Sequence, residues 1–285
     1  MSHAIIIPIY CENRNTINLC NELQNFGAEH IVVVNDGLNP KSEYFNELTS
    51  IGCHLVHLKN NNGKGASLKA GIKYAHDNLY NITGYITCDA DGQHTANDVM
   101  KISRMLDLRN GSLILGKRDY KKSKMPINIR IGNRLSSAYF KVITGKSCKD
   151  TQTGLRGIPA FLYDTVMKTK GSRFDFEMNF LTKCADMRVP FYFVNIIADC
   201  SNCSSNFRLI KDTYLIYRTP LRFATASIGC TIIDLVLFTI FAYILPSHMF
   251  FNIMLATLMA RVVSGGINFL INRKVIFGNT DNGAK

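Results

Sequence analysis

Apolar positions change their spacing repeatedly along the chain, and each change marks an element. Ala4-Ile5-Ile6-Ile7-Pro8 is a continuous apolar run of strand length. The stretch after it sets Leu19, Leu23 and Phe26 on one helical face and stops at Gly27. The alternation then repeats. His30 to Val34 is β-branched and strand-like, Cys53 to Leu58 is a further strand, Gly65 to Leu79 has helical spacing, and Gly84 to Cys88 and Ser112 to Leu115 read as strands. Strands alternating with helices predict an α/β domain with a mostly parallel sheet covered on both faces. In such sheets ligands bind beyond the carboxyl ends of the strands.

The pattern changes near Phe223. Phe223 to Leu245 is a run of 23 residues with one charge, Asp234, and Met249 to Ile271 is another 23 with one charge, Arg261. At ~1.5 Å per residue, each is long enough for a hydrocarbon core roughly 30 Å thick. Only Pro246-Ser247-His248 separates them, which predicts a tight helical hairpin. Buried helices of a soluble bundle are the alternative, but those are usually shorter and carry a polar face. Arg218 and Arg222 precede the first run, Arg273 and Lys274 follow the second, and the turn has neither Lys nor Arg, so both ends are expected on the cytoplasmic side.

Between Phe207 and Arg222, Leu209, Ile210, Ile216 and Leu221 alternate with Arg208, Lys211, Arg218 and Arg222, the pattern of a helix lying at a bilayer surface. The expected organisation is a cytoplasmic domain over 1–206, an interfacial helix over 207–222, and a transmembrane hairpin over 223–285 with spans at 223–245 and 249–271 and a short cytoplasmic tail. Asp234 and Arg261 fall near the middle of their spans, so depth predicts an ion pair; contact with a neighbouring protomer or a lipid headgroup is the alternative.

Composition narrows the class. Lys and Arg number 33 against 21 Asp and Glu, a net charge of +12, yet 47% hydrophobic residues exclude a disordered chain. The nine cysteines are odd in number and scattered, and are read as reduced thiols facing the cytoplasm. Cys200 and Cys203 form a lone Cys-x-x-Cys with no second pair to complete a zinc site.

Candidate chemistry gathers where strands end. Asp36, in Asn35-Asp36-Gly37, could accept hydrogen bonds from a nucleotide base and Glu12 could reach base or ribose, although Asp-Gly after a strand is more often a turn. Asn62-Gly63-Lys64-Gly65 lies where a helix begins, a place for an anion, or equally a solvated turn. It lacks the spacing of a Walker loop. Asp89 and Asp91 follow the strand ending at Cys88, and residues two apart in an extended segment can address one cation, as Mg²⁺ or Mn²⁺ held with substrate phosphates requires. Lys117, Arg118, Lys121, Lys122, Lys124, Arg130 and Arg134 then form a basic cluster. A lipid phosphate or anionic headgroups suit it better than nucleic acid in a chain tethered to a bilayer.

In order, Pro8-Ile9-Tyr10-x-Glu12, Asn35-Asp36-Gly37, Gly63-Lys64-Gly65, Asp89-Ala90-Asp91-Gly92-Gln93, Gly116-Lys117-Arg118, Asp150-Thr151-Gln152-Thr153-Gly154-Leu155-Arg156, Arg173-Phe174-Asp175-Phe176-Glu177 and Ser204-Ser205-Asn206-Phe207 resemble the membrane-bound polyprenyl-phosphate glycosyltransferases of glycosyltransferase family 2, related to dolichol-phosphate mannosyltransferase. The resemblance covers nearly the whole chain. Arg222-Phe223 and the segment Asn268 to Phe277 are similar to bacterial bactoprenol glucosyltransferases. Two departures stand out: Asn35 replaces the first aspartate of the usual Asp-Asp-Gly, and Cys200-Ser201-Asn202 lacks the charged residues common before Ser-Ser-x-Phe.

The resemblance implies a GT-A-type domain followed by the hairpin, and inverting transfer of a sugar from a nucleotide-sugar, UDP-glucose in that subgroup, to undecaprenyl phosphate for cell-envelope glycan modification. It assigns Pro8, Tyr10, Glu12, Asp36, Lys64, Asp89 and Asp91 to the nucleotide-sugar, and Asp91, with Asp89 and Gln93 in support, to Mg²⁺ or Mn²⁺. Arg118, then Arg130, Arg134 and Arg156, are assigned to the acceptor phosphate. Asp150 is the candidate base or sugar contact and Glu177 the second, though either carboxylate could instead cap a helix. A homo-oligomer, with a tetramer as one form, is implied as well.

Three rivals are weighed against this reading. A processive polysaccharide synthase needs Gln-x-x-Arg-Trp, and the chain has no tryptophan. A dinucleotide-dependent dehydrogenase needs Gly-x-Gly-x-x-Gly after the first strand, where Pro8-Ile9-Tyr10-Cys11 stands. A membrane scaffold or lipid-handling subunit that has lost activity remains open, with retention of Asp89, Asp91, Arg118 and Asp150 against it.

Overall fold

The computed structural model describes residues 2–119, 127–197, 209–245 and 250–271. Lys121, Lys122, Lys124, the Pro246-Ser247-His248 turn, the Ser204-to-Phe207 motif and the segment from Asn272 on lie outside them. The chain divides into two compact units, residues 1–207 and 208–285.

The first unit follows the predicted alternation. Its elements are β1 (Ser2–Ile9), α1 (Arg14–Asn25), β2 (His30–Asp36), α2 (Glu43–Ser50), β3 (His54–Leu58), α3 (Lys64–Asn78), β4 (Ile82–Thr87), α4 (Ala96–Leu108), β5 (Leu113–Arg118), α5 (Ile127–Thr144), β6 (Arg156–Pro159), α6 (Tyr163–Lys168), α7 (Phe174–Asp186) and β7 (Phe191–Ile196). The central strands are apolar without alternation because helices cover both faces. Ile5, Ile7, Val33 and Ile86 pack into one core layer, and Ala4, Ile6, Val32, Val34 and Tyr85 into the other. Leu19 and Leu23 of α1 are buried as expected, whereas Phe26 is the C-cap and half-exposed, because the helix has already ended there.

The strand order is β3-β2-β1-β4-β6-β5-β7. All pairings are parallel except those of β6, which runs antiparallel between β4 and β5 with Arg156 opposite both Thr87 and Leu115. This insertion decides the site. It carries the residues from Asp150 to Arg156 into the gap between the carboxyl ends of two parallel strands. Thr87 Oγ1 closes the join by donating to the Gly154 carbonyl at 2.8 Å.

The second unit is a hairpin of α8 (Leu209–Ile244) and α9 (Phe250–Ile271). Ser227–Ile244 and Asn252–Leu270 have mean hydropathies of 2.0 and 1.6, and little of either is buried, unlike the core helix of a soluble protein. Both are long and apolar enough to cross a membrane. The helix runs unbroken from Leu209 through the position where an interfacial segment and a span were expected to join.

The expected Asp234–Arg261 ion pair is not formed. Asp234 instead accepts a 2.7 Å hydrogen bond from Ser264 Oγ, while Arg261 is exposed. Depth arithmetic had set the right level but not the rotation. Ala256, Ala260 and Ser264 form the buried row of α9, a stripe of small residues that lets helices approach closely, and Arg261 is one residue, about 100° of helix, away from it.

Ser264→Ala should therefore lower the thermal stability of the detergent-solubilised protein by about 1 kcal/mol, with Arg261→Ala close to neutral. The reverse order of effects would restore the ion pair.

Candidate active site

The predicted ligand edge is a network of buried charge. β4 ends at Thr87, so Asp89 and Asp91 belong to the loop beyond it and are not extended strand residues aimed one way. That loop is pinned to the start of α1: Thr16 Oγ1 donates to the Ala90 carbonyl at 3.1 Å and Asn15 Nδ2 to that of Asp91 at 3.3 Å. Asp89 turns to Lys64, whose Nζ lies 2.6 Å from Asp89 Oδ1 and 3.0 Å from Glu177 Oε1. Behind Asp89 is the buried His94, with Nε2 at 3.7 Å from Oδ2. Burial by itself would push Lys64 down and Asp89 up. The two carboxylates override it for Lys64, which is held above the ordinary lysine value, and Lys64 with His94 overrides it for Asp89, held well below the carboxylate range.

Asp91 is in a different position. Its oxygens accept from the Gln93 backbone amide at 3.0 Å and from the Gln93 side-chain amide, and among the described residues it has no cationic partner. Tyr10 stands nearby: burial, with Cys11, Asp91 and Asp89 adding to it, pushes its phenol up to about 12. Among the described residues no three His, Cys, Asp or Glu side chains gather into a metal cage. One half-buried carboxylate without a counter-charge fits Mg²⁺ or Mn²⁺, which keep few protein ligands and take the rest from substrate phosphates and water. Gln93 spends its amide on Asp91, and Asp89 is already neutralised by Lys64.

The glycine-rich turn before α3 holds an anion, but a protein one. Asp36 accepts from the backbone amides of Asn62 at 2.7 Å and Gly63 at 2.9 Å, one on each of its oxygens. Gly63 has φ +95°, and a Cβ there would strike the Ser172 carbonyl and Arg173, so this position brings the start of α3 against the segment leading into α7. Asn35, in place of the usual aspartate, is buried and hydrogen-bonded to Leu38 and, at 3.0 Å, to His57. Glu12 is exposed beyond β1, and Pro8 is buried within it.

Two of the four arginines assigned to the acceptor face inward. Arg118 grips Asp150 bidentately, Nε to Oδ2 at 2.7 Å and Nη2 to Oδ1 at 2.8 Å, and both residues are buried. An aspartate so paired is a post for the loop after α5 and not a free base. Arg156 donates to the carbonyls of Thr153, Glu177 and Thr151 at 2.9, 3.0 and 3.2 Å, tying that loop to α7. Arg130 and Arg134 are exposed on α5. Gly154 is obligatory in the same loop, since a Cβ there would overlap the Asp89 carboxylate. The residues that sequence reasoning left without a role are His94, Asn15 and Thr16. Only His94 carried a signal, its adjacency to the Asp89-to-Gln93 motif.

Lys64→Met leaves two carboxylates facing each other without their cation and should cost about 3 kcal/mol in denaturant unfolding of the metal-free protein. The pH dependence has a definite sign. Asp89, depressed in the fold, contributes stability above the ordinary carboxylate range and loses it as pH falls; Lys64, raised in the fold, contributes below the ordinary lysine value and loses it as pH rises. Wild-type stability in the Met variant would show that the triad carries no folding energy.

Comparison with known proteins agrees with this geometry. Residues 4–164 match the family described as Glycosyl transferase family 2. An uncharacterised protein of Methanocaldococcus jannaschii is 32% identical, over 62% of this chain and 73% of that one. The UDP-N-acetylglucosamine–dolichyl-phosphate N-acetylglucosaminyltransferase of Methanococcus voltae is 29% identical, over 53% and 67%. In fold, the chain is similar to glucosyl-3-phosphoglycerate synthase of Mycobacterium tuberculosis in complex with UDP, with TM-score 0.58 at 11% identity, over 76% of this chain and 79% of that one. A family match over more than half of the chain, a sheet with one antiparallel strand inserted beside the Asp89-to-Asp91 loop, and a C-terminal apolar hairpin make this protein a member of glycosyl transferase family 2.

Proposed function

We propose that the protein transfers a sugar, with inversion, from a nucleotide-sugar to a polyprenyl phosphate, with UDP-glucose as donor and undecaprenyl phosphate as acceptor. The observation that carries the reading is Asp91, a carboxylate with no counter-charge among the described residues, at the ligand edge of a chain that also carries two apolar helices. Mg²⁺ or Mn²⁺ held by Asp91 would neutralise charge on the departing nucleoside diphosphate. Lys64 would face the same diphosphate from the start of α3, and Tyr10 would border the nucleotide.

The acceptor is already an anion, so the site must position it more than deprotonate it. Buried, paired Asp150 then has no proton to take, and its work is to hold Arg118 in place. Arg130 and Arg134, exposed on α5, become the first candidates to attract the lipid phosphate, with Arg118 and Arg156 as the frame behind them. With both chain ends on the cytoplasmic side of a cell membrane, as the flanking charges predict, the domain would meet its soluble donor there. A homo-oligomer belongs to the same reading, and the product would supply envelope glycan modification.

Purified full-length protein with undecaprenyl phosphate, Mg²⁺ or Mn²⁺ and a panel of labelled nucleotide-sugars tests this. The expected result is a lipid-linked sugar formed from UDP-glucose, reduced at least about a hundredfold by EDTA. Transfer from another sugar nucleotide would reassign the donor; full activity in EDTA, or no lipid product from any donor, would overturn the reaction.

A further inference from the structure

The Arg173-Phe174-Asp175-Phe176-Glu177 segment brings two charged side chains to the Lys64 turn, and only one of them is paired there. Glu177 holds Lys64 at 3.0 Å. Arg173, one helical turn earlier, lies directly against the start of α3. The Ser172 carbonyl accepts from the Ala66 amide at 2.9 Å; a Cβ on Gly63 would come within 2.8 Å of Arg173 Cγ, and one on Gly65 within 2.8 Å of the Arg173 carbonyl. The arginine thus flanks Lys64 on both sides of its turn. Its guanidinium is half-buried and, among the described residues, has neither an ion pair nor a hydrogen bond. Asp175, the acid beside it, accepts from the Arg173 backbone amide at 3.0 Å and not from the side chain.

Charge balance says what the guanidinium is for. Asp89 and Glu177 bring two negative charges; Lys64, and Arg156 with Nη2 at 3.9 Å from Glu177 Oε1, bring two positive ones. These four charges cancel. An arriving diphosphate therefore meets no net positive charge in that cluster, and Lys64 must be shared between two carboxylates and the newcomer. Arg118 and Arg156 have spent their N–H groups on Asp150 and on backbone carbonyls. Arg173 has not, and its planar fork of donors fits two phosphate oxygens at once.

We propose that Arg173 binds the diphosphate of the nucleotide-sugar, closing on it from α7 while Lys64 meets it from α3. This deepens the donor reading given under Proposed function and rests on it. The packing contacts of Arg173 are with the turn from Gly63 to Ala66, so the donor diphosphate is its ligand and the acceptor phosphate is not.

Calorimetric titration of the full chain in detergent, with Mn²⁺ present, tests this. Arg173→Met and Arg173→Gln should each bind UDP and inorganic pyrophosphate about ten- to a hundredfold more weakly than wild type, the worth of charge-assisted hydrogen bonds. Their thermal stability should match wild type, because no partner within the protein is lost. Undecaprenyl phosphate should bind wild type and variants alike. Unchanged UDP and pyrophosphate binding in both variants, a loss confined to undecaprenyl phosphate, or a loss accompanied by lower stability would each overturn the proposal and leave the donor reading standing. Absence of UDP and pyrophosphate binding by the wild type would overturn both.

Discussion

The site depends on one half-buried ammonium. Lys64 Nζ sits between Asp89 and Glu177, which belong to the loop after β4 and to α7, while Lys64 itself opens α3. Three elements meet because one cation can satisfy two carboxylates, and each of those carboxylates would be costly to bury without it. Removing the lysine leaves two carboxylates without their shared cation where water is largely excluded. The same logic repeats around it. Asp36 gathers the amides before α3, Arg118 grips Asp150, and Arg156 fastens three carbonyls.

The consequence is a division of labour among residues that look alike in the sequence. Charged groups paired within the protein build the frame, and in the proposed reaction those left over, together with Lys64, meet the substrates. Asp91 and the exposed Arg130 and Arg134 are in the second class; Asp89, Asp150, Arg118 and Arg156 are in the first. A frame of fixed, mutually neutralised charge would cost little reorganisation on arrival of the diphosphate that the proposed reaction requires, which is the condition for electrostatic catalysis.

Much of the fold was legible because its signals are local. Short, β-branched apolar runs such as Ile5-Ile6-Ile7 and Val32-Val33-Val34 favour strands buried on both faces, and Gly27, at φ +81°, ends α1 where expected. β6 was not legible: four residues, Arg156 to Pro159, become a strand only because β4 and β5 leave a gap for them. In the site, the motifs named the right residues but not their partners. Asp89 and Asp91 have the same chemistry and nearly the same position, and only the three-dimensional location of Lys64 separates them. Similarly, depth along a helix follows from counting, whereas the one-residue rotation that gives Asp234 to Ser264 in place of Arg261 depends on which row of α9 has side chains small enough to pack.

The division between Asp89 and Asp91 is the central claim, and calorimetric titration of Mn²⁺ with UDP into two variants tests it most directly. Asp91→Asn should keep wild-type stability and lose coupled Mn²⁺–UDP binding. Asp89→Asn should be destabilised, because it withdraws one carboxylate from the Lys64 ammonium, and should retain metal-dependent nucleotide binding where it remains folded. Wild-type Mn²⁺–UDP binding in Asp91→Asn would contradict the account.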